Sequence, residues 1–214
     1  EKKEKKEKKE KKEKKADSSD ESEAKSDSDS DNGKGKKKDD DSLEWDDPEV
    51  KSVIGTLAAF SESKGGKPTV ADFFEEVRMQ QLAKIFDHKL RLYITLEALC
   101  GTTMDAKALG ERKKMVEKMI ENAKMDTADI LYAFNLYLKV NSGTVKSFPM
   151  VLKYLYDEDL AEEKAILEYY DDDDNEACPG FEEGKTAGAP FLKWLATADE
   201  EDDDDDEDDD EDED

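Results

Sequence analysis

Carboxylates set among aromatic rings are the residues of this sequence whose types and spacing suggest a specific chemistry. Residues 154–198 contain thirteen acidic and three basic side chains. A lysine-rich peptide can place its ammonium groups on such carboxylates and lay its methylene stems across nearby rings. A plainer interpretation stays open, in which rings at helical spacing are core and the acids only solubilise the protein. The aromatic residues of this stretch are Tyr154, Tyr156, Tyr169, Tyr170, Phe181, Phe191 and Trp194.

No other group of residues indicates catalysis or metal binding. The sequence has no glycine-rich phosphate loop, no Gly-x-Ser-x-Gly turn and no calcium-loop pattern. His88 is flanked by charge at a predicted helix junction, which favours a surface or capping role. Cys100 ends an apolar stripe and is expected in the core, and Cys178 lies in an acidic stretch that does not activate a thiol. We therefore expect no enzyme activity, no metal and no cofactor.

The chain as a whole is strongly acidic. Its 214 residues carry 60 acidic and 34 basic side chains, a net charge of −26, and only 35% of them are hydrophobic. This charge argues against direct DNA binding, which needs clustered Lys and Arg, and favours a basic partner. No apolar run is long enough to span a membrane, and two cysteines cannot build a disulfide framework. We expect a soluble protein of the reducing cytoplasm.

Both ends of the chain have compositions typical of disorder. Residues 1–15 are five copies of Glu-Lys-Lys, residues 16–42 are rich in Ser and Asp, and residues 199–214 are all acidic. We expect residues 1–42 to be a charged linker, residues 43–198 to be the folded domain and residues 199–214 to be an acidic tail. The chain begins with glutamate rather than methionine, which indicates a fragment or a trimmed product.

Between these ends, apolar residues repeat at helical spacing. The stripes predict about eight helices and no strand, with N-caps at Thr69, at Asp105 and at Asp126 or Thr127. Short connections favour an all-α stack of antiparallel helix pairs. The last helix is expected to begin at Pro190, after an irregular acidic and glycine-rich connection over residues 171–189.

Two segments of the acidic, aromatic end resemble the two acidic-aromatic boxes of the eukaryotic translation initiation factor 5 family. The first is YLYDEDLAEEKAILEYY, residues 154–170, and the second is APFLKWL, residues 189–195, followed by ADEED at residues 198–202. They come in the order of that family and at its C-terminal end. Nothing in the sequence resembles the zinc-ribbon domain with which the family stimulates GTP hydrolysis.

The resemblance implies a HEAT-like stack of helices that serves as an assembly module. In the family, this domain binds the lysine-rich boxes of the beta subunit of initiation factor 2 and contacts initiation factors 1 and 3 within the 43S preinitiation complex on the 40S subunit. Carboxylates then receive the lysines, and aromatic rings shape the site. The implied partner-binding residues are Asp157, Glu158, Asp159, Glu162, Glu163, Tyr169, Tyr170, Phe191, Trp194, Asp199, Glu200, Glu201 and Asp202.

Other functions stay open. The C-terminal exchange domain of the initiation factor 2B epsilon subunit has related boxes, although the long lysine-rich linker favours factor 5. An acidic chaperone or scaffold for histones or ribosomal proteins would use the tail alone. Lys107, Lys114 and Lys118 share a helix face, for which a solvated surface is favoured over a contact with another initiation factor or ribosomal RNA.

Overall fold

Residues 43–198 are described by a computed structural model of the chain. Within this range the chain forms eight α-helices and no strand, which confirms the predicted all-α class. The predicted linker and acidic tail lie outside the described residues. None of the described helices has the length and apolar character needed to cross a bilayer. The helices are α1 (Pro48–Ser63), α2 (Val70–Lys84), α3 (His88–Cys100), α4 (Ala106–Ala123), α5 (Thr127–Val140), α6 (Phe148–Asp157), α7 (Glu163–Asp171) and α8 (Phe181–Ala198).

The helices pack in two rows. Along one row α1, α3, α5 and α7 contact one another in that order, and along the other α2, α4, α6 and α8 do the same. Contacts of α1 with α2, α3 with α4, and α7 with α8 join the rows. Consecutive helices therefore fall in opposite rows, which is the stack of helix pairs that the sequence predicts. At the C-terminal end α8 also packs against α5.

Side-chain caps fix where several helices begin. Oγ1 of Thr69 accepts a hydrogen bond from the backbone N–H of Asp72 at 3.1 Å, and Asp105 and Asp126 cap α4 and α5 in the same way. These three caps are predicted by the sequence and confirmed. A fourth cap, Asp87 at the start of α3, was not predicted. Each such cap stabilises its helix by about 1 kcal/mol.

The last helix begins earlier than the sequence predicts. It starts at Phe181 rather than at Pro190, so the irregular connection expected over residues 171–189 is confined to residues 172–180. The buried face of α8 has helical spacing, but two of its five positions are glycines, which give no apolar signal. The prediction failed for that reason. The buried positions are Phe181, Gly184, Gly188, Phe191 and Leu195.

Glycine is required on this face because α8 lies very close to its neighbours. A Cβ atom at Gly184 would lie 2.0 Å from Oδ1 of Asn135 on α5. A Cβ atom at Gly188 would lie 2.6 Å from Cδ1 of Leu152 on α6. The glycines thus set the separation between α8 and the two helices that it covers, and α6 and α8 carry the residues of the candidate site.

Candidate lysine-binding site

Aromatic residues from the two boxes meet where α6 packs on α8. The ring of Tyr156 lies 6.2 Å from that of Phe191 and 6.1 Å from that of Trp194, the latter edge-to-face, and Phe191 and Trp194 are 5.7 Å apart. Tyr156 and Phe191 are buried, whereas the side chain of Trp194 is 39% exposed. The buried pair therefore supports Trp194, which presents part of its indole to solvent.

A lysine ammonium already lies beside this indole. Nζ of Lys153 is 5.6 Å from the centroid of the Trp194 ring and 2.6 Å from Oδ2 of Asp157, one helical turn further along α6. We call Asp157 and Trp194 the lysine seat, which Lys153 occupies. An exposed i,i+4 ion pair contributes about 0.3–0.5 kcal/mol, and a cation over an exposed aromatic face contributes about 0.5–1 kcal/mol. The seat can therefore recognise an ammonium group by charge and by its aromatic face together.

The predicted acidic residues of the first box lie together at the end of α6, the start of α7 and the turn between them. We call residues 157–163 the acidic turn. Glu158 forms an ion pair with Lys113 of α4, and this hydrogen bond raises the pKa of the ammonium group. The backbone N–H of Glu162 donates to Oγ1 of Thr127 at 3.1 Å, which holds the turn against α5. The acidic residues are Asp157, Glu158, Asp159, Glu162 and Glu163.

The part of the chain that holds these residues is similar to a known family. Residues 126–205 match the W2 family model. That family is described as eIF4-gamma/eIF5/eIF2-epsilon, so its members are translation initiation factors. The matched residues, called the W2 segment below, run from the start of α5 to beyond α8 and contain both boxes and the lysine seat.

A solved structure supports the same fold. The C-terminal domain of translation initiation factor 5 at low pH superposes with a TM-score of 0.51 and 16% sequence identity, over 71% of this chain and 95% of that chain. At this identity the likeness concerns the fold alone. No curated protein sequence matches the chain. The family description names factor 5 and the epsilon subunit together, so both of these candidates belong to one family.

Two of the predicted site residues in the W2 segment are core residues. The rings of Tyr169 and Tyr170 pack edge-to-face 5.1 Å apart, and both pack against Phe181. The hydroxyl of Tyr170 donates to Oδ1 of the fully buried Asn135 at 2.7 Å. Burial raises the pKa of both phenols. These rings hold α7 and α8 on α5 and present no face to a partner, so they do not contact it directly. That they shape the site through this packing stays a prediction.

Phe191 is the third buried ring among the predicted site residues, and it packs against Trp194. Asp199, Glu200, Glu201 and Asp202, predicted to extend the site, lie outside the described residues. Lys153 was missed, and Tyr156, named among the aromatic residues of the acidic stretch, was not among the implied partner-binding residues. The i,i+4 spacing of Lys153 and Asp157 is visible in the sequence, but their approach to Trp194 depends on how α6 packs on α8.

His88 and Cys100, the residues considered for catalysis, lie where they stabilise the fold. Nε2 of His88 is 2.7 Å from Oδ2 of Asp129, whose other oxygen is 3.0 Å from Nζ of Lys89, so the histidine joins α3 to α5 at the start of α3. Burial raises the pKa of the Cys100 thiol to about 11. Within the described part of the chain, no group of His, Cys, Asp and Glu residues is arranged to hold a metal ion.

The lysine face of α4 has one aromatic contact. Lys107, Lys114 and Lys118 are exposed, and Nζ of Lys118 lies 5.3 Å from the centroid of the Phe74 ring on α2. A lysine stem laid over a neighbouring ring is typical of a solvated helix surface. The preference for a solvated face over a contact with RNA or another factor stays a prediction.

Proposed function

We propose that the W2 segment is a docking module for lysine-rich segments of translation initiation factors, as in initiation factor 5. Its principal partner is the lysine-rich region of the beta subunit of initiation factor 2, and initiation factors 1 and 3 are further partners within the preinitiation complex. Stimulation of GTP hydrolysis then belongs to a separate N-terminal domain. The observation that carries this proposal is the ammonium group of Lys153 held between the carboxylate of Asp157 and the indole of Trp194.

Binding divides between two kinds of contact. The carboxylates of the acidic turn attract a run of lysines over a distance. Exposed charges of this kind are screened by salt, with a Debye length of about 8 Å at physiological ionic strength. The lysine seat adds a contact with an aromatic face, which is less sensitive to salt. Affinity should therefore fall with salt without vanishing.

The proposal predicts that reversing charge on the acidic turn weakens binding of a lysine-rich peptide. In the double variant Glu162→Lys/Glu163→Lys we expect the dissociation constant, measured by calorimetry, to rise by about 10-fold at physiological salt, since each exposed pair is worth up to about 1 kcal/mol. The difference should be larger at low salt.

A matched control carries the same change of net charge far along the chain. Glu62 and Glu75 are exposed residues of α1 and α2, outside the W2 segment, so Glu62→Lys/Glu75→Lys should change the affinity by less than about 3-fold. If both double variants weaken binding equally, the peptide responds to overall charge and the acidic turn is not its site.

A second candidate has support in the family description, which names the epsilon subunit alongside factor 5. That function would make the segment part of a nucleotide-exchange catalyst. An exchange assay on GDP-bound initiation factor 2 separates the two, because a docking module binds the lysine-rich segment without accelerating GDP release. Accelerated release that is lost in Glu162→Lys/Glu163→Lys would favour the epsilon subunit.

A further inference from the structure

The proposed function places a partner lysine between Asp157 and Trp194. In the free protein Lys153, from the same helix as Asp157, occupies that position. We propose that Lys153 is a built-in competitor for the lysine seat, which an incoming lysine must displace to reach Asp157 and Trp194. This inference rests on the proposed function and adds to it a determinant of which ligands bind.

Two features of the ion pair between Lys153 and Asp157 support displacement. Lys153 and Asp157 are one turn apart on α6, so their ion pair forms within a single helix and requires no partner. Their side chains are 29% and 45% exposed, so water can reach both. The ion pair between Lys153 and Asp157 therefore breaks readily, because exposed ion pairs of this kind are weak.

The indole itself is fixed while Lys153 is free to leave. Tyr156 and Phe191, both buried, pack against Trp194 from the α6–α8 interface and hold its ring. Movement of the Lys153 ammonium into solvent breaks no contact in the core. The aromatic surface is thus prepared for a cation before any partner arrives, and the resident lysine shields it.

Competition of this kind favours runs of lysine over isolated ones. A single lysine gains at the seat roughly what Lys153 loses on leaving it, so its net advantage is small. A segment with several lysines also contacts the acidic turn, and the linked contacts raise its effective concentration at the seat. The seat would therefore respond to lysine-rich segments and ignore most single surface lysines.

The test compares two variants that remove the same charge. Lys153→Gln removes the competitor. Lys164→Gln removes a lysine from a second i,i+4 pair, with Glu168 at 3.3 Å on α7, where the lysine side chain is 88% exposed. Each is made in the full chain, with and without Trp194→Ala, and titrated with a fluorescent oligolysine peptide at physiological salt. Thermal unfolding of each variant verifies that it is folded.

We expect Lys153→Gln to tighten oligolysine binding by about 3- to 10-fold more than Lys164→Gln does, and this excess to disappear in the Trp194→Ala background. Equal gains from the two variants, with binding that still depends on Trp194, would overturn the competitor role and leave the docking function intact. Binding that is indifferent to Trp194 would overturn both. The indole N–H resonance of Trp194 gives an independent readout, since it should shift when Lys153 is replaced.

Discussion

Exposure separates two kinds of aromatic residue in the W2 segment. Trp194 is 39% exposed and lies beside a lysine ammonium, whereas Tyr169 and Tyr170 are buried against α5 and Phe181. Substitutions at the two kinds of position should therefore affect different measurements. Changes at the buried tyrosines should lower stability, and changes at Trp194 should lower affinity for a lysine-rich ligand.

Tyr170 provides the first of these measurements. Tyr170→Phe removes the hydroxyl that donates to Oδ1 of Asn135, a fully buried amide. We expect the free energy of unfolding in urea to fall by about 1–3 kcal/mol, the range for a buried polar group left without its partner. Peptide affinity should not change.

Tyr154 is the matched control for this substitution. Its hydroxyl is buried and has no hydrogen-bond partner among the described residues, so Tyr154→Phe should be neutral or slightly stabilising. A loss of affinity in Tyr170→Phe without loss of stability would contradict the assignment of this ring to the core.

Helix α8 shows how glycines in a contact face can decide the position of a helix. Its first two turns meet α5 and α6 through Gly184 and Gly188, and the separation that they allow lets Trp194 reach the side chains of α6. A wider separation would move the indole away from Lys153 and Asp157. The geometry of the lysine seat therefore depends on glycines about two and three turns before Trp194.

Substitution at Gly184 tests this dependence. A Cβ atom there would lie 2.0 Å from the Asn135 amide oxygen and 3.0 Å from the hydroxyl of Tyr170, both of which are buried and bonded to each other. Overpacking of this kind costs about 1–3 kcal/mol. We expect Gly184→Ala to lower the denaturation midpoint accordingly and to weaken peptide binding as α8 shifts.

Gly55 in α1 is the matched control, because a Cβ atom there would meet nothing within 4 Å. Gly55→Ala should stabilise the protein by about 0.4–1 kcal/mol by restricting the unfolded chain. If the two substitutions changed stability equally, α8 would not approach α5 as closely as the structure indicates.

The sequence predicts the local features of the fold and misses those that depend on packing between helices. The caps at Thr69, Asp105 and Asp126 are confirmed because a cap is a contact across three residues. The start of α8 is missed because Gly184 and Gly188 interrupt the apolar pattern of its buried face. The contact of Lys153 with Trp194 joins residues 41 positions apart and could not be predicted, because no local pattern encodes which faces of α6 and α8 meet.

Two of the acidic segments of the chain distinguish the candidate functions. One is the acidic turn with the lysine seat, which lies in the stacked helices. The other is the terminal run of acidic residues, of which residues 206–214 lie beyond the family match. A docking module depends on the first, whereas an acidic chaperone depends on the second. The two functions are therefore distinguished by which part of the molecule binding requires.

The most direct test is the dissociation constant of a lysine-rich peptide of initiation factor 2 at physiological salt, measured with Lys153→Gln in every protein so that the resident lysine does not offset the contact. The proteins compared are Lys153→Gln itself, Lys153→Gln/Trp194→Ala, and Lys153→Gln lacking residues 206–214. We expect Trp194→Ala to weaken binding by about 5-fold or more, since cation–aromatic contacts reach about 1 kcal/mol or above. Removal of the nine terminal acids should change it by less than about 3-fold, because exposed charges are screened. The reverse pattern, a large loss on truncation and none with Trp194→Ala, would contradict a lysine-binding site on α6 and α8.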